Sequence, residues 1–218
     1  MKLNDDFTVP VDTSYADAEW VTSPLAGVER HMLDRIGDEK ARATTIVRYA
    51  KDSHFSTHTH DEGEEFVVLE GTFSDSSGDF SPGVYVRNPP GSAHAPWSVD
   101  GTIIFVKLRQ FDPGDTARIV IDPGTAEWHA AKAPGVSTLH LHTFADETVS
   151  MARFAPGAVL RDQTYAGGLE LLVIDGEIAL DGISHHRWDW MRRPASTKLD
   201  LASSDGGTIY LKTGHLPS

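Results

Sequence analysis

Apolar and polar positions alternate along the chain in short runs bounded by Gly, Pro, Asp and Ser, and recurrence at helical spacing is almost absent. Runs at Ala43–Tyr49, Glu65–Leu69, Val84–Arg87, Thr102–Leu108, Thr148–Phe154, Leu169–Ile174 and Thr208–Lys212 predict strands. The best helical candidate, Asp34–Ala41, is short and carries Gly37 in its middle. Many short strands with turn signals between them predict an all-β sandwich or barrel rather than alternating βα units.

The pattern also repeats, at a period of about 105 residues. Arg48-Tyr49-Ala50 lies over Arg153-Phe154-Ala155, and Phe66-Val67-Val68-Leu69-Glu70-Gly71 over Leu171-Leu172-Val173-Ile174-Asp175-Gly176. Asn88-Pro89-Pro90-Gly91-Ser92 lies over Arg192-Arg193-Pro194-Ala195-Ser196, and Gly101-Thr102-Ile103 over Gly207-Thr208-Ile209. Two copies of one all-β unit follow. The expected division is an N-terminal arm at 1–28 with Trp20 as anchor, a first barrel at 29–112 and a second at 113–218. The segment Phe111–Pro134, with its two Asp-Pro-Gly turns, reads as the connection.

Composition narrows the chemistry. The 218 residues carry 19 Lys+Arg against 32 Asp+Glu, a formal net charge of −13, which disfavours nucleic acid and anionic membrane surfaces as partners. The absence of cysteine excludes disulfides, thiolate metal sites and cysteine nucleophiles, so metal chemistry would run on the 11 histidines and on carboxylates. No apolar run approaches the ~20 residues of a membrane helix, and the N-terminus lacks a signal-like apolar stretch; a cytoplasmic protein is expected.

The chemistry concentrates in His58-Thr59-His60-Asp61-Glu62-Gly63-Glu64-Glu65 and, some way on, in Gly83-Val84-Tyr85-Val86-Arg87-Asn88-Pro89-Pro90-Gly91-Ser92-Ala93-His94. On a strand, His58 and His60 present both imidazoles to one face. A turn at 61–63 lets Glu64 return to the same space, and the rigid Pro-Pro-Gly corner fixes the strand that carries His94. Three imidazoles and a carboxylate suit one divalent ion per chain, Zn, Fe, Mn or Ni among the candidates, with positions left open for water, dioxygen or a chelating substrate. Glu65 is the second-best ligand, because strand alternation points it away.

These segments resemble the cupin signature at eight typed positions: His58, His60, Glu64 and Gly71, then Gly83, Pro89, Gly91 and His94. The resemblance implies two tandem cupin barrels (double-stranded β-helix, jelly roll) with the metal inside the first. The surrounding residues, over roughly 20–110, are similar to the cupin-like domain of ChrR-type anti-sigma factors. In that family the domain binds zinc and takes part in sensing singlet oxygen, while a cysteine-containing N-terminal zinc domain holds the sigma factor. This chain has no cysteine and only a short arm before its barrel, so a sigma factor is not expected as partner. Stand-alone relatives of this cupin type include metal-dependent dioxygenases of small aromatic or diketone substrates.

The second copy reads as stripped. Gln163 falls at His58, Tyr165 at His60 and Leu169 at Glu64, and matching Pro194 to Pro90 puts Lys198 at His94. The pair His140-Leu141-His142 mimics the motif without its trailing glycine, falls level with Arg35 and Gly37, and reads as the polar face of a strand. His185-His186 is expected in a solvent-exposed loop, and no partner is assigned to His31, His54, His129 or His215. Arg48, Tyr85, Trp97, Phe105 and Lys107 are expected on strands near the metal, mostly as core or rim. The expected function is a metal-dependent, dioxygenase-like enzyme acting on a small-molecule substrate, with a metal-binding sensor as the alternative. A homodimer is compatible with either.

Overall fold

The runs of alternating residues pair into sheets because alternation gives each strand one apolar face, and two such faces exclude water together. The structure, a computed structural model, describes residues 1–216. Among them no α-helix forms, the only helical turn is a 3-10 turn at Tyr15–Asp17, and no helix is long and apolar enough to cross a membrane. The chain forms two units, one of Met1–Asp5 with Glu19–Thr125, the other of Asp6–Ala18 with Ala126 onward.

In the first unit an antiparallel sheet runs in the order Lys2–Leu3, Val28–Gly37, Ala41–Tyr49, Thr102–Leu108, Glu64–Gly71, Tyr85–Asn88 and Ile119–Ile121. Facing it are a four-stranded sheet (Gly78–Phe80, Phe73–Asp75, Trp97–Ser98, Ser53–His54) and the two-stranded pair His58–His60 with Ser92–His94. Val28, Val47, Phe66, Val68, Val86, Ile104 and Val106 meet Phe73 and Phe80 between them. Each such burial stabilises by about 1.5–3 kcal/mol relative to exposure. Gly71 ends the Glu64 strand at φ +72°, and a Cβ there would collide with the Gly101 carbonyl oxygen. The motif position therefore requires glycine for both conformation and space.

The second unit repeats the plan: His129–Ala130, Val136–Phe144, Glu147–Phe154, Gly207–Thr213, Leu169–Leu180, Trp190–Arg193 and Val11–Thr13 lie side by side. Its core gathers Val136, Phe154, Leu171, Val173, Ile178, Met191, Leu199, Leu201 and Ile209.

Three sequence expectations change. The segment Asp34–Ala41 is a strand, a three-residue turn and the next strand rather than a helix; Gly37 at φ +116° turns the chain. The unit boundary falls at 125/126 rather than 112/113, because Ile119–Ile121 pairs with Tyr85–Arg87 in the first unit. The arm is divided too. Val11–Thr13 pairs with Trp190–Arg192, and the Phe7 ring lies 4.3 Å from the Arg192 guanidinium. Phe111 stacks on Arg87 in the same way at 3.8 Å.

Candidate metal centre

His58 and His94 are cross-strand partners, and His60 lies opposite Ser92. Direct partners and residues two apart share a face of an antiparallel pair, so all three imidazoles leave the ribbon on one side. Two turns hold this register. Gly91, at φ +82°, donates its N–H to the His60 carbonyl at 2.9 Å, and Ser92 N–H reaches Pro89 O at 3.0 Å. Gly63 N–H reaches the same His60 carbonyl at 3.3 Å, which closes the hairpin that starts the next strand at Glu64.

The three ring centroids stand 4.8–5.0 Å apart, and one nitrogen of each ring lies within 4.8 Å of the others. Glu64 Oε1 is 3.6 Å from His60 Nε2 and 3.8 Å from His94 Nε2, and it accepts a hydrogen bond from Asn88 Nδ2 at 3.2 Å. His60, Glu64 and His94 are buried, whereas His58 is exposed on the open side.

The outer nitrogens are tied back. His94 Nδ1 lies 3.0 Å from Asp75 Oδ2, and His58 Nδ1 lies 3.2 Å from the Ser56 carbonyl. With the proton on Nδ1, each ring turns an Nε2 lone pair toward its neighbours. Burial would push the Asp75 carboxyl up, but the hydroxyl and N–H of Ser77 and the His94 ring outweigh it and hold it below its ordinary value. Burial lowers the His60 pKa, opposed by Glu64 and aided by His94 and His58, which favours the neutral ring. Burial lifts the Tyr49 phenol well above its usual range, and the Glu64 charge adds to that.

His60 Nε2 supplies the test of fit. It is buried and has no hydrogen-bond partner, a costly arrangement unless another group fills the space it faces. Adjacent nitrogen ligands on one ion stand about 3 Å apart, so imidazole nitrogens within 4.8 Å of one another would draw in by up to about 1.8 Å around it. A neutral imidazole cage with one carboxylate fits a borderline divalent cation.

The other expected positions sort differently. Glu65 points to the opposite face, where it accepts bonds from Tyr85 Oη at 2.6 Å and Arg87 at 2.8 Å. Arg48 is on the outer face, stacked over Trp20 at 4.0 Å and paired with Glu29, and Lys107 Nζ donates to Thr44 Oγ1. His140 is exposed and His142 buried, because a bulge at Leu141 breaks the alternation. The matching bulge at Leu33 sets them level with Met32 and Asp34 rather than Arg35 and Gly37. His185 is buried rather than solvent-exposed, His31 lies against Trp20, and His215 pairs with Glu170. Sequence reasoning missed Asp75, Ser77 and Asn88; nothing in a Ser-Asp-Ser-Ser-Gly turn marks one carboxylate as the support of a histidine 19 residues away.

The second unit shows the stripped copy. Leu199 pairs with Gln163 as His94 pairs with His58. Ser196 at φ +60° takes the place of Gly91, so Pro194 answers Pro89, not Pro90, and the residue at His94 is Leu199, not Lys198. Leu199 is core, while Lys198 is exposed and paired with Asp162 at 2.7 Å.

The chain matches the ChrR cupin-like domain twice, over residues 9–112 and 116–217. No curated protein matches it. Among solved structures, a Nostoc punctiforme protein provisionally described as a dioxygenase is 14% identical, with a TM-score of 0.74 over 97% of this chain and 81% of that one. A bacterial pirin from Escherichia coli in complex with nickel(II) is 12% identical, with a TM-score of 0.69 over 96% and 99%. A variant of salicylate 1,2-dioxygenase from Pseudoaminobacter salicylatoxidans is 12% identical, with a TM-score of 0.64 over 95% and 84%. The shared feature is the fold: two cupin barrels in one chain.

Proposed function

The chain belongs to the ChrR cupin-like domain family, and from that premise we propose that its first barrel is a mononuclear divalent-metal centre with dioxygenase-like activity on a small molecule. His58, His60, Glu64 and His94 hold the ion, one per chain. The observation that carries this is the buried, unpartnered His60 Nε2 facing two further imidazoles and a carboxylate. Iron or manganese would supply one-electron chemistry there, and zinc or nickel charge stabilisation.

The chain's own residues prepare that site. Asp75 and the Ser56 carbonyl keep two imidazoles in the ligating tautomer. Asn88 holds the Glu64 carboxylate in place. Tyr49, Phe55 and Phe73 stack edge to face beside His94, 5.3–5.9 Å apart, and keep water from that wall. The exposed side of His58 leaves an approach for a ligand.

A sensor that binds metal without turnover is the second reading, favoured by the match of both halves to the ChrR cupin-like domain. Metal content of protein purified without added metal, read together with substrate-dependent oxygen uptake, separates the two. Iron or manganese with uptake supports the enzyme, and tightly held zinc without turnover supports the sensor. His58→Ala and His94→Ala should each abolish stoichiometric metal; retention in both would overturn the site.

A further inference from the structure

Two arginines face into the first barrel and have no counterpart in the second. Val28 pairs with Tyr49, Arg30 with Val47 and Met32 with Thr45, and direct partners share a face. Val28 and Val47 are core, so the Arg30 side chain leaves the sheet on the core side. Beyond the bulge at Leu33, Arg35 pairs with Ala43, Ala43 with Leu108, and Leu108 with Glu64. Arg35 therefore stands in the same inward row as the carboxylate of the metal centre.

Both guanidiniums are largely removed from water, and that of Arg30 is incompletely satisfied. Arg35 is 5% exposed and donates to the Asp38 carbonyl. Arg30 reaches Glu39 Oε2 at 3.3 Å with one terminal nitrogen, and its Nε is buried without a partner. Arg35 on Asp38 and Arg30 on the next residue, Glu39, bring the two cations to one turn; burial and then the Arg30 charge depress the Arg35 pKa, against the pull of Glu39 and Asp38. Placing like charges together in a half-dry site is unfavourable unless an anion joins them. Glu39, at the tip of the 38–40 turn, reaches in from solvent with its side chain 66% exposed. In the second unit the same positions are Thr138, paired with Ala152, and Thr143, paired with Thr148. The half that lacks metal ligands also lacks the arginines.

We propose that Arg30 and Arg35 form an anion subsite for the carboxylate of a small molecule whose other end reaches the metal, with the Glu39 carboxylate holding the place of that anion in its absence. The proposal rests on the metal reading for the second half of its statement. Three interstrand steps separate Arg35 from Glu64, about 14 Å between backbones. Long side chains from both ends reduce this to the span of a substituted six-membered ring. The subsite also explains how a chain of net charge −13 would take an anionic ligand.

The test uses cobalt(II)-loaded protein titrated with catechol and with 3,4-dihydroxybenzoate, which differ by one carboxylate, read by visible absorbance. The carboxylate should tighten binding about tenfold, the scale of one charge-assisted hydrogen bond. Arg30→Gln and Arg35→Gln should each remove most of that advantage and leave catechol unchanged. Glu39→Gln, at an exposed position that does not endanger folding, should tighten 3,4-dihydroxybenzoate alone by about threefold. Equal affinity for the two probes, or no effect of Glu39→Gln, overturns the proposal. Benzoate titrated into metal-free protein keeps the two readings apart. Binding that is lost in Arg30→Gln supports the subsite even if cobalt is not taken up, and no binding in the parent overturns it.

Discussion

Replacing Asp75 by Asn changes one atom and removes a choice the site depends on. Asp75 Oδ1 accepts the Ser77 N–H at 2.7 Å and the Ser77 hydroxyl, while Oδ2 faces His94 Nδ1 at 3.0 Å. Asparagine has one carbonyl oxygen. If it faces Ser77, the amide NH2 meets His94 Nδ1, draws the proton to Nε2 and takes that ring out of the ligand set. If it faces His94, the NH2 opposes the Ser77 N–H in a buried place where Asp75 is 2% exposed. Either way a charge-assisted bond is lost, and metal affinity should fall ten- to a hundredfold, about 1.4–2.7 kcal/mol. Competition of metal-free protein against a chelator for zinc measures it, with a thermal melt to verify folding. Ser77→Ala, which keeps both oxygens, should change affinity by less than about threefold. A dissociation constant unmoved in Asp75→Asn would refute the idea that this carboxylate sets the His94 tautomer.

Glu64→Ala and Glu65→Ala should separate cleanly: the first weakens metal binding, whereas the second keeps one metal and costs about 3–5 kcal/mol, since it leaves the buried Arg87 with only part of its counter-charge. Metal titration and urea unfolding on both variants decide this. Gly71→Ala should destabilise by more than Gly182→Ala: both glycines have positive φ, worth about 1–2 kcal/mol, but only at Gly71 does a Cβ meet backbone. Equal unfolding midpoints would contradict that. Burial lowers the His185 pKa below 6.5. The unfolded chain therefore takes up the extra proton as pH falls through 6.5, so the stabilising contribution is present above that pH and lost below it. Urea midpoints should decline from pH 7 to 5 less steeply in His185→Asn than in the parent.

The parts of this architecture written in local pattern were legible. Strand Thr102–Leu108 has the bounds its alternation predicts, and the spacing of the motif brings His58, His60 and His94 together with Glu64 beside two of them. What pattern could not reveal was fixed by partners distant in sequence. The repeat alone sets Lys198 at His94, because two prolines in one copy face a single proline in the other. Only the left-handed backbone of Ser196 shows which of them is equivalent. His185 looked like a loop residue because its burial comes from the strand at Ile178, to which it is paired. Asp34–Ala41 offered polar residues at a spacing that fits a helix or a strand end, and sheet pairing on both sides decided it.

The division of the arm has a consequence for how the chain is made. Thr13 bonds to Trp190, 177 positions later. During synthesis at about 5–20 residues per second, the Val11–Thr13 edge strand waits about 9–35 s for the strand it joins to leave the ribosome. Throughout that interval a stretch with an exposed valine at Val9 is unpaired. The aspartates at 5, 6 and 12 flank and interrupt it, the charges that best discourage a waiting strand from joining its counterpart on a neighbouring nascent chain. Birth order thus makes a segment synthesised well before its partner strand one of the last to find its place.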